Sequence, residues 1–141
     1  MNGERPRRGD RPGRRDLGRR SEELAARHLE ALGYRVVARN VRCPGGEADL
    51  ICREGGEWVV VEVRGRRTRR FGTAAQSVDA RKFRRLVRVG QWFLTRAGLP
   101  DAPWRIDLVT VTWPPAADEP GGGAAAPTVA VYRRLEGGAQ R

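Results

Sequence analysis

Between residues 16 and 32 the chain returns to the same side every three to four positions, through Leu17, Ser21, Leu24, His28 and Leu32, with Ala25 and Leu29 widening the stripe. That period predicts an amphipathic helix, with Asp16 as its N-cap and Gly33 just past its end. The period then changes. Tyr34–Asn40, with Val36 and Val37, predicts a first strand, and Val41–Gly46, with Pro44 and two glycines, a loop. Two β-rich runs, ADLICR and WVVVEVR, flank Glu54-Gly55-Gly56-Glu57 and predict a tight β-hairpin. Gly65–Thr73 reads as a basic loop. Asp79 should cap a second helix over Ala80–Ala97, its apolar side formed by Phe83, Leu86, Val87, Gly90, Phe93 and Leu94, and Gly98 and Pro100 end it. Trp104–Trp113 predicts another strand and Thr128–Leu135 a short edge strand. The order α-β-β-β-α-β-(β) gives an α/β or α+β sheet flanked by helices. Residues 16–113 form the domain and 114–127 a flexible Pro/Gly/Ala loop, while 1–15 and 136–141 are expected to be a disordered basic arm and tail.

The hairpin carries the candidate chemistry. If Gly55 and Gly56 form its turn, Asp49 faces Glu62 and Glu47 faces Arg64. Side chains alternate along strands, so all four share one face, with opposed Cβ atoms roughly 4.5–5.5 Å apart. Two carboxylates at that separation can share a hard divalent cation. Leu50, Cys52, Val59, Val61 and Val63 fill the other face, and Ile51 and Val60 make the turn end apolar on both sides. A charge in such a strand pair is costly unless paired or bound to metal. A salt-bridged cluster, Glu47 with Arg64 and Asp49 or Glu62 with another arginine, is the plain alternative. Glu22, at the edge of the first helix's buried stripe, is either a solvated flank residue or a carboxylate aimed at the hairpin.

Charge adds a partner. The formal net charge is +11 and every basic residue but Lys82 is arginine. That excess points to a polyanion, nucleic acid first. Arg66, Arg67, Arg69 and Arg70 surround Phe71 in the loop after the hairpin, and Arg81, Arg84 and Arg85 line one flank of the second helix; both groups suit a phosphate backbone. Cys43, Cys52 and His28 have no zinc spacing, and two cysteines make no disulfide scaffold. No apolar run reaches membrane-span length and the N-terminus has no apolar signal core, so cytoplasm is the expected compartment and a membrane is not an expected partner.

GRRSEELAARHLEALGYRVVARNVRCPGGEADLI, VVVEVRGR, FGTAAQSV, the helix with Lys82 and RIDLVTV resemble the YraN-like family of bacterial proteins, over roughly Leu17 to Val111. The resemblance implies an α/β fold of the restriction-endonuclease-like type, a central mixed β-sheet flanked by helices, in the PD-(D/E)xK nuclease superfamily. It also implies Mg²⁺ or Mn²⁺ held by Asp49, Glu62 and the Val63 carbonyl, with Glu47 and Glu22 as auxiliary carboxylates. Arg64 stands where the superfamily pattern has lysine. Lysine can shed a proton in a buried site and arginine cannot. Lys82 could replace it from the second helix, although chance placement on a solvated flank is the simpler reading. The expected function is metal-dependent hydrolysis of a phosphodiester in DNA or a branched nucleic acid. The alternative is a nucleic-acid-binding module without turnover. A homodimer is left open.

Overall fold

A computed structural model describes residues 12–67, 78–115 and 125–137, with side chains from residue 15 onward. The elements are α1 (Pro12–Ala31), β1 (Arg35–Cys43), β2 (Gly46–Glu54), β3 (Glu57–Arg67), α2 (Ala80–Arg96), β4 (Trp104–Trp113) and β5 (Thr128–Tyr132). The sheet runs in the order β1-β2-β3-β4-β5. Among the described strands only β3 and β4 pair in parallel; α2 makes the crossover between them, and the other neighbours are antiparallel. The protein is thus an α/β chain with a five-stranded mixed sheet between two helices.

Both helices end in the same way. Gly33 (φ +97°) and Gly98 (φ +75°) adopt the left-handed conformation that L side chains resist. After α1, Gly33 N–H donates to Glu30 O (3.0 Å) and Tyr34 N–H to Leu29 O (2.9 Å); after α2, Gly98 donates to Thr95 O (3.1 Å) and Leu99 to Leu94 O (2.8 Å). In each case an apolar residue beyond the glycine folds back over the last turn. Asp79 caps α2 as expected, its side chain accepting Lys82 N–H at 2.8 Å. Asp16 does not cap α1. The helix starts four residues earlier, at Pro12, and Asp16 lies within it, 3.9 Å from Arg20. Proline suits a first helical turn and arginine is a good helix former, so a segment without apolar residues still extends the helix.

Gly55 (φ +60°) and Gly56 (φ +86°) make the β2–β3 turn, and the register is the one the turn dictates: Glu54↔Glu57, Arg53↔Trp58, Cys52↔Val59, Ile51↔Val60, Leu50↔Val61. The segment expected as a loop after β1 is mostly strand. β1 continues to Cys43, which pairs with Gly46 across a turn at Pro44-Gly45.

In β3 and β4 odd-numbered residues face α1 and even-numbered ones face α2. Ala25, Ala26 and Leu29 pack on Leu50, Cys52, Val59, Val61, Val63, Val109 and Val111. Leu86 and Val89 pack on Ile51, Val60, Ile106 and Leu108. Each fully buried valine, leucine or isoleucine among these stabilises the fold by about 1.5–3 kcal/mol relative to exposure. Glu62, an even-numbered position, therefore faces α2. The predicted loop at 114–127 and the tail at 136–141 fall largely outside the described residues, as do Arg69, Arg70 and Phe71.

Candidate functional site

The β2–β3 ladder stops at Leu50↔Val61. Beyond it the alternation of β2 slips. Leu50 packs under α1, but Ala48 joins the cluster under α2. β1 changes side opposite it: Ala38 and Val41 both pack in the cluster under α2, with Asn40 at φ +50° between them, while the β1–β2 register itself shifts earlier, between Val36 and Ala38. Asp49 is thereby turned into the gap between β2 and β3. Its Oδ2 accepts the Val63 N–H at 2.7 Å, taking the place of a backbone carbonyl. In a strand the N–H and C=O of one residue point to the same neighbour, so the Val63 carbonyl opens toward the same gap.

Glu62 sits beside this gap, its side chain 6% exposed. Lys82 Nζ lies 2.9 Å from Glu62 Oε1 and Arg64 Nε 3.4 Å from the same oxygen. Lys82 is therefore not on a solvated flank: the third residue of α2 reaches over the sheet to the buried acid. Glu22, one residue past Ser21 on α1, meets Asp49 from the other side of the sheet. Ser21 is buried against Gly65, where a Cβ would collide with its side chain, and its Oγ accepts Trp113 Nε1–H at 2.8 Å. These contacts fix α1 over β3 and with it the position of Glu22.

The three acids perturb one another. Burial raises the pKa of Asp49, while the Val63 N–H, Lys82 and a hydrogen bond with Glu22 act against it. Burial, then the Asp49 charge, raises Glu62; Lys82 and Arg64 oppose. Glu22 is raised by burial and by the Asp49 charge and hydrogen bond. All three acids are thus pushed toward the protonated form, by burial first, with Lys82 opposing at Asp49 and Glu62.

Glu47 does not face Arg64. It pairs with Arg42, its cross-strand partner in β1, at 3.5 Å, and stays half exposed. Arg85 joins Lys82, Glu47, Gly45 and Gly46 around a cavity of about 320 Å³ beside the carboxylates. Arg66, Arg67, Arg81 and Arg84 are exposed on β3 and α2, with Arg67 also reaching the Pro114 carbonyl at 3.2 Å.

Asp49, Glu62 and the Val63 carbonyl are hard oxygen donors, a set that fits a Mg²⁺-type ion retaining several waters. Among the described residues, no group of three or more His, Cys, Asp or Glu side chains is placed to hold an ion. The protein would thus supply two carboxylates rather than a closed cage.

A second charged network lies elsewhere and was not anticipated. Asp107, fully buried in β4, accepts from Tyr34 Oη (2.7 Å), Arg105 Nε (3.0 Å) and Arg134 N–H (2.9 Å). Arg105 also holds Glu54 (3.0 Å) and Glu57 (3.1 Å) at the hairpin turn. Arg105 and Asp107, two apart in a strand whose remaining residues are apolar except Thr110 and Thr112, carried the same signal as Asp49 and Glu62.

The fold and site define a class: α/β proteins with a five-stranded mixed sheet that carries a carboxylate pair and a helix-borne lysine where two strands part. The chain belongs to the uncharacterised protein family UPF0102, the YraN-like family, whose model matches residues 21–111. It is 48% identical to a UPF0102 protein of Symbiobacterium thermophilum over 97 residues, 69% of this chain and 82% of that one. A relative in Dechloromonas aromatica is 51% identical over 94 residues, 67% of this chain and 77% of its own. A third, in Geobacter sulfurreducens, is 43% identical over 96 residues, 68% and 75% of the two chains. No helix among the described residues is long and apolar enough to cross a membrane.

Proposed function

We propose that this chain is a metal-dependent phosphodiesterase of the nuclease type, acting on DNA or a branched nucleic acid through a restriction-endonuclease-like core. The observation that carries the reading is the placing of Lys82 Nζ 2.9 Å from a buried Glu62, beside Asp49, where the β2–β3 ladder ends. Asp49, Glu62 and the Val63 carbonyl would hold Mg²⁺ or Mn²⁺. When bound, the ion supplies Lewis-acid polarisation and charge neutralisation at a phosphodiester. Glu22, hydrogen-bonded to Asp49, would help to hold that carboxylate in place beside the ion. Lys82 brings an ammonium to the reacting face that can orient water or meet developing charge. Arg64, permanently protonated, can steady a phosphate oxygen but cannot act as a base. The exposed arginines at 66, 67, 81, 84 and 85 would carry the sugar-phosphate backbone.

Cleavage of a labelled duplex and a labelled four-way junction in Mn²⁺ against EDTA tests this. Asp49→Asn, Glu62→Gln and Lys82→Ala should each reduce turnover by about 10²-fold or more. Tight DNA binding by the wild type without cleavage of either substrate sinks the enzymatic reading. A second reading, a nucleic-acid-binding module without turnover, is favoured by one observation: Glu62 already has two cations on a single oxygen. It requires DNA affinity that is the same in Mn²⁺ and in EDTA.

A further inference from the structure

We infer that the hollow between the β1–β2 turn and the first turns of α2 is a seat for one sugar-phosphate unit of a nucleic-acid strand, gripped by Lys82 and Arg85 and indifferent to the base. This rests on the nucleic-acid reading above and gives it a substrate register: the seated unit is the neighbour of the one lying over Asp49 and Glu62.

The hollow has a volume of about 320 Å³, room for on the order of ten waters, which exceeds the need of a small ion. Its lining is two glycines, two cations and one acid. The glycines matter because of what lies behind them. A Cβ on Gly46 would stand 2.5 Å from Arg85 O and 2.8 Å from Val89 Cγ2, and one on Gly45 would stand 2.7 Å from an Arg88 guanidinium nitrogen. The turn backbone therefore lies directly against α2, and peptide groups, not side chains, form that wall. Lys82 and Arg85 are three apart and so share one side of α2. Lys82 links the hollow to the carboxylates, since the same side chain reaches Glu62. Among the described residues none that lines the hollow is aromatic, so none of them offers a platform on which a base could stack.

Glu47 is the dissenting member. It lines the hollow on the hairpin side, is only partly neutralised by Arg42 at 3.5 Å, and its charge is felt by Asp49 and Glu22. A phosphate entering is repelled from that wall and pressed onto Lys82 and Arg85. Removing the Glu47 charge should then tighten binding, and removing Arg85 should weaken it.

The test follows the Gly45 and Gly46 amides by NMR in EDTA while thymidine 3′,5′-bisphosphate is added. Saturable shifts at both are expected. Arg85→Ala should lower affinity about tenfold, the loss of one charge-assisted hydrogen bond; Glu47→Gln should raise it; deoxyadenosine 3′,5′-bisphosphate should bind like the thymidine compound. Shifts elsewhere with Gly45 and Gly46 still, an affinity blind to Arg85→Ala, or a preference set by the base would each overturn the inference. The amide shifts do not depend on turnover. Shifts without Mn²⁺-dependent cleavage keep the seat and remove the nuclease; cleavage without shifts does the reverse.

Discussion

Lys82→Met tests the central geometry through stability alone. Breaking a buried ion pair by removing one partner typically costs about 3–5 kcal/mol. Two features reduce that here: the Lys82 side chain is 34% exposed, and Arg64 remains 3.4 Å from the same oxygen. A loss of about 2 kcal/mol is expected, or roughly 6–10 °C in Tm for a domain of this size. Glu62→Gln should act oppositely. Burial and the Asp49 charge raise the Glu62 pKa above its ordinary 4.5, so the folded state holds this proton more tightly than the unfolded state does. Stability therefore falls as pH rises from about 4.5 through the folded value. A glutamine mimics the protonated acid and escapes that loss, so Glu62→Gln is more stable than wild type at pH 7, and the gap closes toward pH 4. The double variant should match Glu62→Gln to within about 0.5 kcal/mol, because Lys82 has then lost its charged partner. Thermal melts of the four proteins in EDTA, from pH 4 to pH 8, provide the measurements. A neutral Lys82→Met, or a destabilised Glu62→Gln at pH 7, would refute the pairing of this lysine with a strained buried acid.

Three further outcomes are expected. Mn²⁺ at about a hundred times its Kd should stabilise the wild type by about 2.7 kcal/mol, and Asp49→Asn, which can still accept the Val63 N–H, should lose that gain while its melt in EDTA does not fall; equal metal effects in both proteins would remove Asp49 from the metal. Arg105→Met leaves Asp107 buried without its guanidinium and should cost about 3–5 kcal/mol in urea unfolding; less than 1 kcal/mol would mean that Tyr34 and Arg134 suffice. Gly46→Ala must push α2 off the β1–β2 turn and should cost about 1–3 kcal/mol, with circular dichroism reporting the melt; an unchanged Tm would show that the helix yields freely there.

The parts legible in the sequence are those governed by neighbours along the chain. Gly33, Gly98 and Asp79 announce the helix ends because capping is local. Gly55-Gly56 sets the hairpin register as far as Leu50↔Val61 for the same reason. The reading fails where partners decide. Val41–Cys43 looks like loop beside Pro44 and two glycines, but pairing with β2 makes it strand. Strict alternation places Asp49 and Glu62 as a facing pair, whereas the slip at Asn40 and Ala48–Leu50 turns Asp49 sideways to Val63. Glu47 follows its β1 partner Arg42 and not Arg64. Lys82 could be named but not placed, since only the crossover of α2 brings it to Glu62. Arg105 and Asp107 were visible as charges in a mainly apolar strand, yet their partners, Tyr34, Glu54, Glu57 and Arg134, come from elsewhere in the chain.

The parallel pairing of β3 with β4 also sets an order of assembly. The turns at Pro44-Gly45 and Gly55-Gly56 close the shortest of loops, so β1, β2 and β3 can meet early, whereas β4 must wait for everything between Arg67 and Trp104 to be gathered in, at a larger entropic cost. Asp49 and Glu62 are thus neighbours in the meander before α2 has docked to deliver its ammonium. Until then the only cation the meander itself brings to the pair, among the described residues, is Arg64, beside Glu62 on β3. The crossover does more than complete the sheet: it adds the Lys82 ammonium to an oxygen that Arg64 already neighbours.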